Sequence, residues 1–335
     1  MLQFARFTLV RAVMAFVTLL FVSLIVFSLM ELVPGDCAER YLAFKNTQGL
    51  QITTEDIDAE RARLGLDRPF IVRWTTWITN AFSGEFGDSC ILRVNINHLL
   101  GDKFLISLGI CMTSLVLAYL IAVPVGIISV TANSPILNNT LRFVSYLGLA
   151  LPNFLLALLI MLFFTVQFGE SLTGLFSSEF RDADWSYERV LDFLGHVWLP
   201  IFILGWSATA FAIQTVRALM SDEIGKLYVT AAAARGVTGR RLIMRYPARH
   251  ALGPIVNSLG FDLNRIFNEL PIVALILTLT ETGALLIEAL ARSNDQQLAG
   301  AIIFLLTASI VALNFLTDIL LAVVDPRVRR SILGN

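Results

Sequence analysis

Long apolar runs alternate with polar intervals along the whole chain. The first run, Ala12–Met30, follows a short stretch, Met1–Arg11, whose Arg6 and Arg11 predict an interfacial helix at a membrane surface. Further apolar blocks follow at Phe104–Val130, Leu141–Phe168, Leu194–Val216 and Ala299–Val324, each long enough to cross the roughly 30 Å hydrocarbon layer of a bilayer. One more, Leu252–Leu279, keeps an apolar background but is broken by Asp262, Arg265 and Glu269. The pattern predicts an all-α integral membrane fold with six transmembrane helices, and an even count places both termini on one side. Pro124-Val125-Gly126, Gly148 to Pro152, Pro200 and Pro254 predict kinks or close helix approaches inside these blocks. Ala12–Met30 is longer than the apolar core of a signal peptide, and Glu31 to Asp36 has no small-residue cleavage pattern, so a retained helix is expected.

The polar intervals carry structure of their own. Residues 31–102 predict a small ordered segment. It contains a helix with Thr53 or Thr54 as N-cap, Glu55 and Asp56 in the first turn and Gly65 near its end, then an aromatic-rich helix over Phe70–Phe82 lying near the headgroups. A second interval, Asp222–Pro254, holds an alanine-rich helix over Lys226–Arg235 that Gly236 closes, followed by Arg240, Arg241, Arg245 and Arg249. The expected organisation is therefore residues 1–30 (interfacial segment and first span), 31–102 (extracytoplasmic segment) and 103–335 (a five-helix core with a basic loop at about 218–250).

Composition supports the bilayer as solvent: of 335 residues 56% are hydrophobic and 15% charged, with a mean hydropathy of +0.73. The net charge of -1 carries no information about partners, and nothing supports nucleic-acid binding. Arginine and lysine give the orientation. Arg6, Arg11, Arg217, Lys226, Arg235, Arg240, Arg241, Arg245, Arg249, Arg327, Arg329 and Arg330 fall on one side, predicted to be cytoplasmic, whereas Glu170–Asp192 and Ala284–Leu298 are poor in cations. Both termini are thus expected in the cytoplasm of a bacterial inner membrane protein.

Candidate chemistry is sparse. His98, His196 and His250 are isolated and the three cysteines lack metal-ligand spacing, so no metal is expected. Cys37 and Cys90 share the predicted extracytoplasmic segment, where an oxidising environment permits a disulfide; the alternative is two unpaired thiols. Cys111 lies inside the second span as an apolar filler. There is no phosphate loop, no nucleophile elbow and no zinc-protease motif, so the chain is not expected to be an enzyme. Within Leu252–Leu279, however, Ser258, Asp262, Arg265 and Glu269 repeat at i, i+4, i+7, i+11 and share one helical face, with Asn264 and Asn268 beside it. Ionisable groups in a span are costly unless paired or wetted. This face therefore borders a translocation path at a subunit interface, or else it is an ion-pair set that locks helix packing. The basic loop has two readings too: a docking element for a partner protein, or a topology signal that binds anionic lipid.

A series of short motifs then matches one family in order. They are Val33-Pro34-Gly35-Asp36, Leu64-Gly65-Leu66-Asp67-Arg68-Pro69, Gly84-Glu85-Phe86-Gly87-Asp88-Ser89, His196-Val197-Trp198-Leu199-Pro200, Val216 to Met220 with Glu223, Tyr228-Val229-Thr230-Ala231-Ala232 through Gly236, Arg249 to Pro254, and Asp325-Pro326-Arg327-Val328-Arg329. On these residues the chain resembles the membrane subunit of a type I ABC importer of the dipeptide/oligopeptide permease family. The resemblance implies a second permease subunit, commonly a related but different chain, two ATP-binding subunits and an extracytoplasmic solute-binding protein. ATP and Mg would sit on the partner subunits. This chain would bind no cofactor, and membrane lipid would surround it.

It also implies a coupling helix at Lys226–Arg235 that sits in a cleft of the ATPase, with Glu223, Lys226, Tyr228, Thr230, Ala231, Ala232, Arg235 and Gly236 as the coupling residues. Thr230 stands where the family usually has a glutamate, and Thr280-Glu281-Thr282-Gly283 where it usually has Pro-Gly-Leu-Gly. Peptides are the expected cargo, although members of the family also carry sugars, opines and metal chelates. The competing function is a stand-alone secondary transporter using Asp262, Arg265 and Glu269 as an ion relay; no internal inverted repeat accompanies it.

Overall fold

The computed structural model describes residues 2–324 apart from 33, 50, 52, 170, 171, 182, 280 and 294. Val33, Glu170, Thr280 and the whole motif Asp325 to Arg329, with Arg330, lie outside the described residues. Among the described residues the fold is helical, with a single isolated antiparallel bridge between Asp88 and Asn95. In chain order the helices are α1 (Leu2–Leu32), α2 (Cys37–Thr47), α3 (Thr54–Leu64), α4 (Phe70–Phe82), α5 (Ile96–Leu100), α6 (Lys103–Thr131) and α7 (Pro135–Ala150). There follow α8 (Asn153–Phe168), α9 (Tyr187–Ile224), α10 (Leu227–Ala234), α11 (Gly239–Arg245), α12 (Pro247–Ile276), α13 (Thr282–Ile287) and α14 (Gln296–Val324), with a π turn at Glu288–Arg292 after α13.

Among the described residues four helices are long and apolar enough to cross a membrane: Gln3–Leu32, Lys103–Thr131, Tyr187–Ile224 and Gln296–Val323. One expectation needs correction. Met1–Arg11 is not a separate interfacial helix, because α1 runs unbroken from Leu2 through Arg11 to Leu32; nothing between them breaks the backbone hydrogen bonding. Leu141–Phe168 is bent, as the break at Gly148 to Pro152 predicts. α7 and α8 meet at 96°, because Pro152 drives the residue before it out of helical geometry, and Leu151 is extended at φ -93°, ψ 111°. If the bent pair counts as one span there are five. The 30-residue α12 has the length of a sixth, but its charged residues interrupt the apolar composition.

Contacts divide the chain into two units. One comprises Met1–Arg11, Leu108–Leu279 and Leu313–Asn335. Here α9 is the hub, packing on α7, α8 and α12. Between apolar helices in lipid the fit of small residues, not water exclusion, drives association. Gly148 of α7 shows this: a Cβ there would stand 2.7 Å from Cβ of Ala210 on α9. Further along α9, Val216 and Met220 form a buried cluster with Ala248, Ala251 and Ile255 of α12.

The other unit comprises Ala12–Ser107 and Thr280–Ala312, so the segment 31–102 is gathered with most of α1, α13 and the start of α14. Its short helices are held by side chains. Thr53 and Asp56 form a reciprocal capping box on α3, and Gly65 closes that helix in the left-handed conformation. The carboxylate of Asp36 caps α2 by accepting from the Glu39 amide at 2.9 Å. Arg61 of α3 then reaches Asp36 at 2.5 Å and also pairs with Glu39. Trp77 of α4 packs edge-on against Phe304 and beside Phe27.

Candidate functional site

The junction between α9 and α10 contains most of the residues predicted to couple the chain to a partner. Glu223, in the last turn of α9, is buried and accepts hydrogen bonds from Lys226 Nζ and Tyr228 Oη. The Tyr228 ring stands edge-on to His250, their centroids 4.7 Å apart. Glu223 and Tyr228 therefore face their own chain and tie α10 to the end of α9 and the start of α12. Val229 and Ala232 are buried beneath α10.

The opposite face of α10 is Leu227, Thr230, Ala231 and Ala234, all exposed, with Lys226, Arg235 and Gly236 exposed at its two ends. Gly236 leaves the helix at φ +85°, a left-handed turn that costs an L-residue roughly 1–2 kcal/mol. Of the residues singled out in the sequence, Lys226, Thr230, Ala231, Arg235 and Gly236 are thus presented outward, while Glu223, Tyr228 and Ala232 support them from within. Leu227, 88% exposed, was not singled out. Its signal was available as an isolated leucine at the start of a small-residue helix beside charged sequence.

On α12 the structure brings Ser258, Asp262 and Arg265 together. Tyr119 of α6 hydrogen-bonds Ser258 at 2.8 Å and donates to Asp262 at 2.5 Å. The Arg265 guanidinium lies 3.5 Å from Asp262, donates to the Ser207 carbonyl of α9 at 3.1 Å and sits over the Phe211 ring at 4.8 Å. Glu269 belongs to a different knot, accepting from the side chain of Asn153. Asn153, freed at the first turn of α8 by the break at Pro152, also donates to the Leu204 carbonyl and accepts from the Ser207 amide at 3.3 Å. The four residues share one side of α12 as predicted, but they are tied into α6, α8 and α9 through Tyr119 and Asn153. Sequence spacing pointed to neither.

In the second unit Cys37 and Cys90 form a disulfide with Cα atoms 5.3 Å apart. Cys111, in the first unit, is buried. The loop carrying Cys90 is fixed by Asp295, whose buried carboxylate accepts from the Ser89 hydroxyl, the Cys90 amide at 3.2 Å, the Ile91 amide at 3.4 Å and the Leu298 amide at 3.0 Å. Beside the disulfide is a cavity of about 550 Å³ whose lining includes Glu31, Arg61, Arg68, Arg73, Trp77 and Gln297. Hydrogen bonding from Arg63, with Arg93 nearby, holds the Glu60 carboxyl below its usual range against a smaller opposing effect of burial. Glu281 behaves oppositely. Burial pushes it up to about 7, and the one hydrogen bond from Ser107, at 3.2 Å, offsets only part of that.

No group of three or more histidine, cysteine, aspartate or glutamate side chains suited to a metal ion occurs among the described residues. The geometry can present a short helix to another protein, hold a polar core within α-helices and brace a disulfide-linked segment.

Known proteins match this chain along nearly its whole length. A Brucella suis protein named as a putative peptide permease is 28% identical over 326 residues, covering 97% of this chain and 99% of that one. The oligopeptide transport system permease protein AppB of Bacillus subtilis is 26% identical over 325 residues, covering 97% and 99%. The glutathione transport system permease protein GsiC of Escherichia coli K12 is 26% identical over 312 residues, covering 93% and 95%. Among solved structures, a chain of the inward-facing MetNI methionine ABC transporter matches with a TM-score of 0.53 at 16% identity, over 68% of this chain and 96% of that chain, which shows a shared fold. The family described as binding-protein-dependent transport system membrane component, N-terminal, matches residues 2–92. The larger match, over residues 122–330, includes α10 and α12, and by it the chain belongs to the binding-protein-dependent transport system inner membrane components.

Proposed function

We propose that this chain is the transmembrane permease subunit of an ATP-driven, binding-protein-dependent importer for peptides or related small solutes. The observation that carries the reading is α10: a short helix tied to its own chain by Glu223, Lys226 and Tyr228, with a face of Leu227, Thr230, Ala231 and Ala234 left open. Small side chains let another protein approach the helix closely, and the exposed leucine offers that protein an apolar anchor. The sequence holds no phosphate loop of its own. ATP and Mg would bind two separate ATPase subunits, and closure of that pair would move α10 and turn a translocation cavity between the paired permease subunits outward; hydrolysis would reset it. Relatives named for peptide and glutathione transport support the cargo class. Membership of a family described by its dependence on a binding protein displaces the reading as a stand-alone secondary transporter.

In this reading α1, α6, the bent pair α7–α8, α9, α12 and α14 are six spans. Both termini and α10 face the cytoplasm, and residues 31–102 face the solute-binding protein or cap the cavity. A second, related permease chain completes the membrane dimer. Ser258, Asp262, Arg265 and Glu269 border the path between the two.

Gly236→Val tests the lever. Open space surrounds Gly236, so the substitution acts through its positive φ alone. The assembled complex should still hydrolyse ATP while solute uptake falls about tenfold, the equivalent of roughly 1.4 kcal/mol. Full uptake by the G236V complex at wild-type levels of assembly, or failure of the wild-type chain to co-purify with any ATPase, would remove the basis for the reading.

A further inference from the structure

The side of α12 that the chain leaves uncovered alternates asparagines with apolar residues. Pro254, Asn257, Phe261, Asn264, Asn268 and Ile272 are exposed, whereas Asp262, Leu263, Ile266, Phe267 and Leu270 are buried. Spacings of three and four put the exposed set in one stripe, adjacent to the charged face already described. Asn268 donates to Asn264 Oδ1 at 3.3 Å. That bond leaves the Asn264 amino group and part of the Asn268 carboxamide unused, and Asn257 has no side-chain hydrogen bond among the described residues.

Lipid tails do not suit such a surface, because an unpaired carboxamide in hydrocarbon costs several kcal/mol. A helix of another subunit can meet it only through polar side chains, since its backbone N–H and C=O groups are already bonded internally. An extended peptide suits it well. Its backbone carries unpaired donors and acceptors in alternation, and a carboxamide offers one of each. The dimensions agree. At about 1.5 Å rise per residue, Asn257 and Asn264 stand roughly 10 Å apart along the axis and Asn264 and Asn268 about 6 Å. An extended chain advances about 3.3 Å per residue, so these intervals correspond to about three and about two residues. Arg265, beside the stripe and paired with Asp262, still leaves 30% of its side chain exposed, which suits a wetted face better than lipid tails.

We propose that Asn257, Asn264 and Asn268 form a carboxamide ladder that hydrogen-bonds the backbone of an extended peptide in transit, independently of its side chains. The inference rests on the peptide-importer reading and adds to it a mechanism for sequence tolerance. Neutral amides release what they bind, as a path must, whereas a charged groove would retain peptides of one sign.

The test uses the full transporter in proteoliposomes with its binding protein, and pentaalanine and a lysine-containing pentapeptide as cargo. Two triple variants, Asn257→Leu/Asn264→Leu/Asn268→Leu and the corresponding alanine set, are compared with wild type for assembly and uptake. Both variants are expected to assemble and to lose at least about tenfold in uptake of both peptides equally, as removing three carboxamides from the path implies. Asn264→Gln, which keeps a carboxamide, should retain most of the uptake. Undiminished uptake in the alanine variant overturns the ladder, as does a loss confined to one peptide. Loss of assembly in both triple variants assigns the stripe to the second permease subunit and overturns it as well. If the wild-type complex imports neither peptide, the peptide reading itself fails; if wild type imports them and the variants match it, only the ladder fails.

Discussion

Two short helices from opposite halves of the chain are held in contrasting ways. α3 has a reciprocal capping box at its start, a left-handed glycine at its end and Arg61 in contact with Asp36 and Glu39, and the α2 that it packs on begins at a disulfide-bonded cysteine. α10 has no side-chain cap at its start. Beyond the buried Val229 and Ala232 and the Tyr228 ring on His250, its polar tie to the chain is Glu223 with Lys226 and Tyr228. Redundant ties in the first region mean that no single surface pair decides its geometry, as expected where exposed ion pairs contribute only about 0–1 kcal/mol each. One carboxylate decides the second. The difference is that between a brace and a hinge. Substitutions in the braced unit should therefore appear as lost stability, and substitutions around α10 as lost coupling with stability nearly intact.

The largest effect on the braced side is expected from Asp295→Ala. Two amides of the Cys90 loop, the amide of Leu298 and the Ser89 hydroxyl all turn to this carboxylate in a buried setting. Leaving these four without an acceptor should cost at least about 4 kcal/mol, since each stranded buried group costs roughly 1–3. The thermal midpoint of the purified chain in detergent measures it. A shift no larger than that of an exposed aspartate such as Asp58 would mean that the loop is held by the disulfide alone.

Glu281 gives a comparably large effect that depends on pH. Its folded-state pKa is raised to about 7 from an ordinary 4.5, so between those values the folded protein holds a proton that the unfolded chain has released. Stability from this group is complete below about pH 4.5, declines as pH rises through 7 and is lost above it. The full span is roughly 3 kcal/mol at about 1.36 kcal/mol per unit. Glu281→Gln should remove that decline and raise the midpoint at pH 8, while every other titrating group stays common to both proteins. An unchanged slope of midpoint against pH between about 5 and 8 would show that Glu281 is solvated.

Much of this was legible in the residues. Thr53 followed three positions later by Asp56 announces the capping box, and an alanine run closed by glycine announces α10, because both signals are local. Where the sequence misled, it did so at longer range. The proline at 152 was visible, but whether it bends a span or breaks it depends on where Asn153 can go, and its partners Leu204, Ser207 and Glu269 lie on two other helices. Asp295 is one acid in a polar turn until the loop 206 positions earlier folds against it. Periodicity located the charged face of α12, but it could not tell which neighbouring helix would supply Tyr119, nor that the asparagines beside that face would be the uncovered ones.

The smallest effect tests the hinge side. Tyr228→Phe removes the hydroxyl that Glu223 accepts and keeps the ring that packs on His250. Lys226 still reaches Glu223, so the carboxylate is not abandoned and the cost to stability should be about 1 kcal/mol, that of one hydrogen bond. The thermal midpoint should therefore move little compared with Asp295→Ala. The ratio of solute imported to ATP hydrolysed should fall by a larger proportion, because α10 loses one of the two side chains that fix its angle to α9. If that ratio holds steady while the midpoint drops as far as in Asp295→Ala, α10 is braced as firmly as α3 and the distinction between the two regions collapses.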